Sequence, residues 1–308
     1  MSIKKRAIAI LCVVLTGVIL VLDLAYLGSS PETRTRTYFA LVREWRAHWP
    51  WEIGKDLLRR VRPKGAGPIR VEIEPHVSML LDPADSVPRT ILETGAWEPE
   101  TWLAISEHLR AGYTFIDVGA HIGYFSLKAA RVVGPAGRVI SVEPNPRTVR
   151  ELQDNIRESR AGAITVYPVA CSETEGSLDL FAAPEANTGE SSLSRANASQ
   201  EGNVTEAYKV RARPLDAIIR ESNVSRADVL KIDVEGAEHL VLKGAHETLA
   251  RYHPLLIIEI SEPQLKAMGA TPAIINDYLR ALGYRPRHSF GQNVEYSYNA
   301  TASTAAGN

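Results

Sequence analysis

Five short apolar runs, most of them separated by helical stretches, constrain this chain more than any other feature. They are YTFIDV (113–118), RVISV (138–142), AITVYPV (163–169), DVLKID (228–233) and LLIIEI (255–260). Helical patterns over 122–133, 146–159, 214–222 and 236–251 stand between most of them. Near-continuous apolar strands need cover on both faces, and intervening helices supply it. The pattern therefore predicts an α/β fold built on a mostly parallel, doubly wound sheet. A helix over 98–111 is expected ahead of the first strand. The alternations GSLDLF and AYKVRAR, between 175 and 213, predict two extra strands around a polar Ser/Asn-rich loop. Past 262, a helix over 272–282 and a terminal hairpin around GQNVEYSY are expected.

In such a sheet, ligands sit at the carboxyl ends of the strands, so each strand end is read for chemistry. The first strand runs into FIDVGAHIGYFSL, from Phe115 to Leu127. Asp117, Gly119 and Gly123 sit at its turn; the glycines allow close backbone approach, and the following helix start offers N–H donors. The second strand ends in Glu143-Pro144-Asn145, where an acid is placed to accept hydrogen bonds from both hydroxyls of a ribose. A lone glycine pair after a strand is an ordinary turn, and so is a lone acid. Together at this spacing they point to a nucleotide. The loop lacks the third glycine of a pyrophosphate site, its centre is His121, and no phosphate-binding lysine follows. A nucleoside without phosphates fits better than NAD or ATP, which points to S-adenosylmethionine.

The fourth strand leads into LKIDVEGAEHLVLKGA, residues 230–245. Lys231 and Asp233 share one strand face, while Ile232 takes the other. Charges flanking a buried strand are costly unless they are paired or functional. Capping by the helix dipole is the plainer reading of Glu235; site involvement is preferred for Asp233 and Glu235. Lys231 could equally be a structural ion-pair partner. Glu259 and Glu262, after the fifth strand, rank behind these as participants, and a solvated rim explains Glu262 as well.

The blocks DVGAHIGYFSL, SVEPNPRTVREL, NTGESSL, RPLDAII, ADVLKIDVEGAEHLVLKGA and PLLIIEI, in that order, closely resemble the FkbM family of S-adenosylmethionine-dependent methyltransferases. The resemblance covers about 95–262, and KIDVEGAE is its most distinctive block. It implies a Rossmann-like class I methyltransferase fold and O-methylation of sugars or natural-product hydroxyls. By position, Asp117, Gly119, His121 and Gly123 would form the cofactor loop, and Glu143 would hold the ribose. Asn145 would lie beside the adenine, and Ala170 and Ser172 would border its pocket. Lys231, Asp233 and Glu235 would face methyl donor and acceptor. The family usually has Asn where this chain has His121.

Methyl transfer to a sugar hydroxyl needs alignment, and a base or a metal to activate the oxygen. Asp233 and Glu235 are candidates for either task, as base or as ligands of a hard divalent cation such as Mg2+. A non-catalytic nucleoside-binding module would require damage to these blocks, and none is present. An NAD-dependent oxidoreductase is disfavoured by the missing third glycine and the lack of a Tyr-x-x-x-Lys pair.

The N-terminus carries Lys4, Lys5 and Arg6 before an uncharged run from Ala7 to Leu22, with Asp23 and then Leu24–Leu27 following. An uncleaved single-pass anchor is expected, with a cleaved signal as the alternative. The domains expected are an anchor (1–30), a helical and strand arm with linker (31–95), a methyltransferase domain (96–300) and a disordered tail (301–308). Arg and Lys crowd 34–70, as a solvated linker or a membrane-proximal stretch. Net charge is −1, which gives no global field for nucleic acid. The only cysteines are Cys12, inside the apolar run, and Cys171, so no disulfide framework is expected. Because S-adenosylmethionine is made in the cytosol, the domain is expected to face the cytoplasm, with a sugar or lipid-linked acceptor. A lumenal domain is the alternative, which the Asn-x-Ser/Thr triplets at Asn197, Asn203, Asn223 and Asn299 would tolerate.

Overall fold

The computed structural model describes residues 30–48, 67–198 and 206–299. They fall into two compact units: the chain through Ile73 with Leu80–Trp97, and Glu74–Met79 with Glu98 onward. Among the described residues, no helix is long and apolar enough to cross a membrane. The expected anchor over 7–27, residues 49–66 of the expected arm and the tail over 301–308 lie outside the described residues.

In the first unit, helix Pro31–His48 buries Tyr38, Phe39 and Val42 as one stripe. Helix Ser86–Thr94 buries Val87, Pro88, Ile91 and Leu92, and the Asp85 side chain caps it by accepting from the Val87 amide. That second helix has no counterpart in the sequence reading. Pro88 lies in its first turn, where it displaces no intrahelical donor. Strands β1 (Ile69–Glu74) and β2 (Val77–Leu81) pair in a two-stranded sheet.

The second unit holds β3 (Thr114–Val118), β4 (Arg138–Val142), β5 (Ile164–Tyr167), β6 (Ala170–Cys171), β7 (Gly176–Ala182), β8 (Glu206–Arg213), β9 (Val229–Ile232), β10 (Leu255–Glu259), β11 (Tyr284–Phe290) and β12 (Asn293–Tyr298). Seven of them form one sheet in the order β11-β12-β10-β9-β3-β4-β5. The run β10-β9-β3-β4-β5 is parallel, and β12 is antiparallel to both its neighbours. β3 and β9 are buried along their whole length. Ile116, Val118, Ile140, Leu230, Ile232 and Leu256 pack there with Ile218, Val241, Leu249 and Leu279 from the covering helices. The chain winds outward through β4 and β5 and then returns to β9 on the other side of β3. The crevice beside the carboxyl ends of β3 and β9 is therefore the topological switch point.

The two extra strands are present. β7 pairs antiparallel with β8, and β6 lies parallel to β8 on its other side. The run predicted as one strand over 163–169 divides at Pro168, which has no N–H for a ladder; β5 stays in the main sheet and β6 joins the second. The helix expected over 236–251 is two, Glu238–Gly244 and His246–Tyr252, meeting at Ala245. A short helix, Glu262–Ala267, follows β10 and was not expected; six residues are too few to show a period.

Candidate active site

Asp117, next to last in β3, is fully buried and accepts a hydrogen bond of 2.6 Å from Ser126 Oγ. Its Oδ1 has no partner. Burial pushes its carboxyl up to about 6, although Lys231, its register partner on β9, pulls the other way. Gly119 follows with φ +86°, and a Cβ there would stand 1.7 Å from the Asp233 carbonyl oxygen. No other residue lets the first and fourth strand ends approach this closely.

The loop then wraps around Glu143. The His121 amide donates to Oε2 at 3.0 Å and the Asn145 amide to Oε1 at 2.9 Å. Burial still pushes Glu143 up to about 7 against these two donors. His121 is held in the left-handed region at φ +49°, a conformation in which Asn and His are both found more often than most side chains. Gly123 precedes helix Tyr124–Val133. Asn145 is buried and caps helix Pro146–Ser159, its Oδ1 accepting from the Arg147 amide at 3.0 Å while Nδ2 donates to Ser191 Oγ at 3.2 Å.

At the fourth strand end, Lys231 is 1% exposed and its Nζ donates to Asp233 Oδ2 at 2.8 Å. Although burial alone would lower it, Asp233, Asp117 and Glu98 together hold the ammonium above its ordinary range, so it stays charged. Phe125 lies beneath it, the ring centroid 5.1 Å from Nζ. Glu235 sits at φ +56° and accepts from Gln264 Nε2. Burial, then Asp233 and Glu238, raise its carboxyl well above the ordinary carboxylate range. Glu238 Oε1 takes the amides of Val234 and Gly236, both at 3.1 Å, and so fixes the turn around Glu235.

The block NTGESSL closes over both halves of this crevice. Thr188 Oγ1 lies 2.8 Å from His121 Nε2, Ser191 meets Asn145, and Ser192 Oγ donates to the Glu235 carbonyl at 2.7 Å. Asn197 Nδ2 donates to the same carbonyl at 2.9 Å and to the Gln264 carbonyl at 3.1 Å. The structure thus brings together Asp117, Gly119, His121, Glu143, Asn145, Lys231, Asp233 and Glu235. Ala170 and Ser172 stand on the second sheet side: Ala170 packs with Leu180 and Val210, and the Ser172 amide donates to the Arg213 carbonyl at 3.1 Å.

A family model described as the methyltransferase FkbM domain matches residues 117–286, more than half of the chain. The chain belongs to the FkbM methyltransferase family. It is similar to the hexuronic acid methyltransferase AglP of Haloferax volcanii, 28% identical over 144 residues that cover 47% of this chain and 54% of that protein. Methyltransferase 1 of Beauveria bassiana is 29% identical over 146 residues, 42% of this chain and 57% of its own length. The AMB antimetabolite synthetase AmbE of Pseudomonas aeruginosa is 28% identical over 199 residues, 55% of this chain and 9% of its own length. The chain thus spans little more than half of the first two relatives and a small part of the third. A crystal structure of an FkbM methyltransferase from Methylobacillus flagellatus is 22% identical, covering 69% of this chain and 52% of that one with a TM-score of 0.41.

The crevice also holds groups that the sequence did not place there. Glu259, ranked behind Asp233 and Glu235, ends β10 with an oxygen within 4.8 Å of oxygens from both. Burial and then Asp233 raise it far above the ordinary range. Its position as the last residue of an apolar strand was the available signal. Glu98 accepts from Thr101 Oγ1 at 2.9 Å and from Asn293 Nδ2 at 3.4 Å; burial raises it, Lys231 lowers it and Asp233 raises it further. Glu98 and Asn293 both lie outside the matched 117–286, and nothing in their local sequence marks them.

Proposed function

We propose that this protein transfers the methyl group of S-adenosylmethionine to a hydroxyl of a sugar or natural-product acceptor, at the carboxyl ends of β3, β4, β9 and β10. The observation that carries this reading is Glu143: a buried carboxylate, fixed by two loop amides and still holding lone pairs for ribose hydroxyls, beside a glycine turn without phosphate-binding features. The orphaned Oδ1 of Asp117 beside the glycine turn fits a bound nucleoside. Membership of a methyltransferase family and similarity to a hexuronic acid methyltransferase support a sugar acceptor.

S-adenosylmethionine supplies an electrophilic methyl group on a sulfonium. The acceptor oxygen forms the new C–O bond as the C–S bond breaks, and the electron pair stays on sulfur, leaving a neutral thioether. The hydroxyl proton passes to the Asp233 carboxylate, which Glu235 adjoins. Lys231, locked to Asp233 and seated on Phe125, holds that carboxylate in one orientation. Since most of the acceleration comes from alignment, the NTGESSL cover and the fixed DVEGAE turn serve to hold the partners in line and to exclude water.

The experiment is Asp233→Asn with S-adenosylhomocysteine calorimetry and a methyl-transfer assay on sugar-containing acceptors. Turnover is expected to drop by at least about a hundredfold, the usual scale of a lost proton-transfer group, with product affinity near the parent value. Full turnover in the variant would remove Asp233 from the chemistry.

A further inference from the structure

We infer that Asp233, Glu235 and Glu259 bind a hard divalent cation, Mg2+, Mn2+ or Ca2+, at the acceptor end of the crevice. Its use in the reaction rests on the methyl-transfer reading; its binding does not. One carboxylate oxygen from each residue lies within 4.8 Å of the other two. Oxygens facing each other across Ca2+ at about 2.4 Å stand roughly 4.8 Å apart, and across Mg2+ at about 2.1 Å roughly 4.2 Å. Separations no longer than this limit suit three oxygens that share one such ion, with Mg2+ asking for the closer approach.

Each carboxylate keeps an oxygen for the ion. Lys231 engages Asp233 through Oδ2 and Gln264 engages Glu235 through Oε2, while Glu259 Oε2 is buried with no partner. Asn293 is the independent sign. It is 6% exposed and stands opposite Glu259 in the antiparallel register of β10 and β12, so the two side chains leave the same face of the sheet. Its Nδ2 donates to Glu98 and to Thr101 Oγ1, which turns Oδ1 away from them, and that oxygen has no donor. A buried amide oxygen beside carboxylates, with no N–H or O–H facing it, is a ligand or near-ligand for a cation and is otherwise a cost. Charge points the same way: Glu98, Asp233, Glu235 and Glu259 face one ammonium, Lys231. All the donors are oxygens, which selects hard cations over zinc or copper. Such an ion would keep the carboxylates ionised and offer open positions to neighbouring oxygens of a polyhydroxylated acceptor.

The test is titration of the full chain with Mn2+ followed by electron paramagnetic resonance, with S-adenosylhomocysteine calorimetry on the same samples. The expected result is saturable binding of one Mn2+ per chain, displaced by Mg2+ or Ca2+, and weakened at least about tenfold by Glu259→Gln. Cofactor-product affinity should hardly change in that variant. Asp233→Asn serves as the second variant if Glu259→Gln does not fold. Absence of saturable Mn2+ binding in the parent protein, or binding unchanged in a folded variant, overturns the site. Mn2+ binding without S-adenosylhomocysteine binding would leave the site standing and overturn the methyl-transfer reading instead.

Discussion

Glu143 meets two opposed demands. It must stay buried to hold a nucleoside, and it must be ionised to accept hydroxyl donors strongly; two amide hydrogen bonds offset part of the desolvation. The remainder shows as a carboxyl pushed up to about 7. Because the folded-state value lies above the ordinary one of 4.5, this group's contribution to stability is full below that value and is lost as pH rises through about 7. Cofactor binding has the opposite sign. Ribose hydroxyls donate to the ionised form and favour it, so S-adenosylhomocysteine affinity should rise with pH up to about 7 and then level off. Calorimetry across pH 5.5–8.5 should show that rise in the parent protein and a flatter profile in Glu143→Gln. Equal slopes in the two would assign the titration to another group.

The turn after β9 is the element on which the site depends, and three other segments hold it. Ser192 and Asn197 take the Glu235 carbonyl, Asn197 also takes the Gln264 carbonyl, and Glu238 takes two turn amides. A Cβ on Gly236 would stand 2.5 Å from the Gln264 carbonyl oxygen, so the packing leaves no room for a side chain. Asn197→Asp should therefore be costly out of proportion to its size. It replaces a buried donor of two hydrogen bonds by a carboxylate facing two carbonyls, and about 2–4 kcal/mol of stability should be lost, read as the shift in urea midpoint. A midpoint within error of the parent would mean that the contact is not formed. Legibility at this scale followed continuity. β3, β4 and β10 lie within a residue of their apolar runs because those runs are unbroken. The breaks at Pro168 and Ala245 were not legible, because a strand switching sheets and two abutting helices carry no periodic signal.

At the scale of the whole molecule, the sheet order places six separated stretches around one crevice, and the sequence announced most of them. Strand-end acids and glycines are local features, which is why Asp117, Gly119, Glu143, Asp233 and Glu235 could be named from the chain alone. Glu98 and Asn293 could not, since they reach the crevice from a helix before β3 and from the antiparallel strand β12. Glu259 stood between these cases: its strand end was visible, while its proximity to Asp233 and Glu235 depends on β10 lying beside β9. The central claim is that this crevice holds an adenosyl methyl donor through Glu143. Calorimetric titration of the parent protein and Glu143→Ala with S-adenosylhomocysteine, ATP and NAD tests it most directly. The parent should bind S-adenosylhomocysteine alone, and Glu143→Ala should lose roughly 1.5–3 kcal/mol for each charge-assisted hydrogen bond removed. Equal affinity in the two proteins, or binding of NAD in preference, would contradict it.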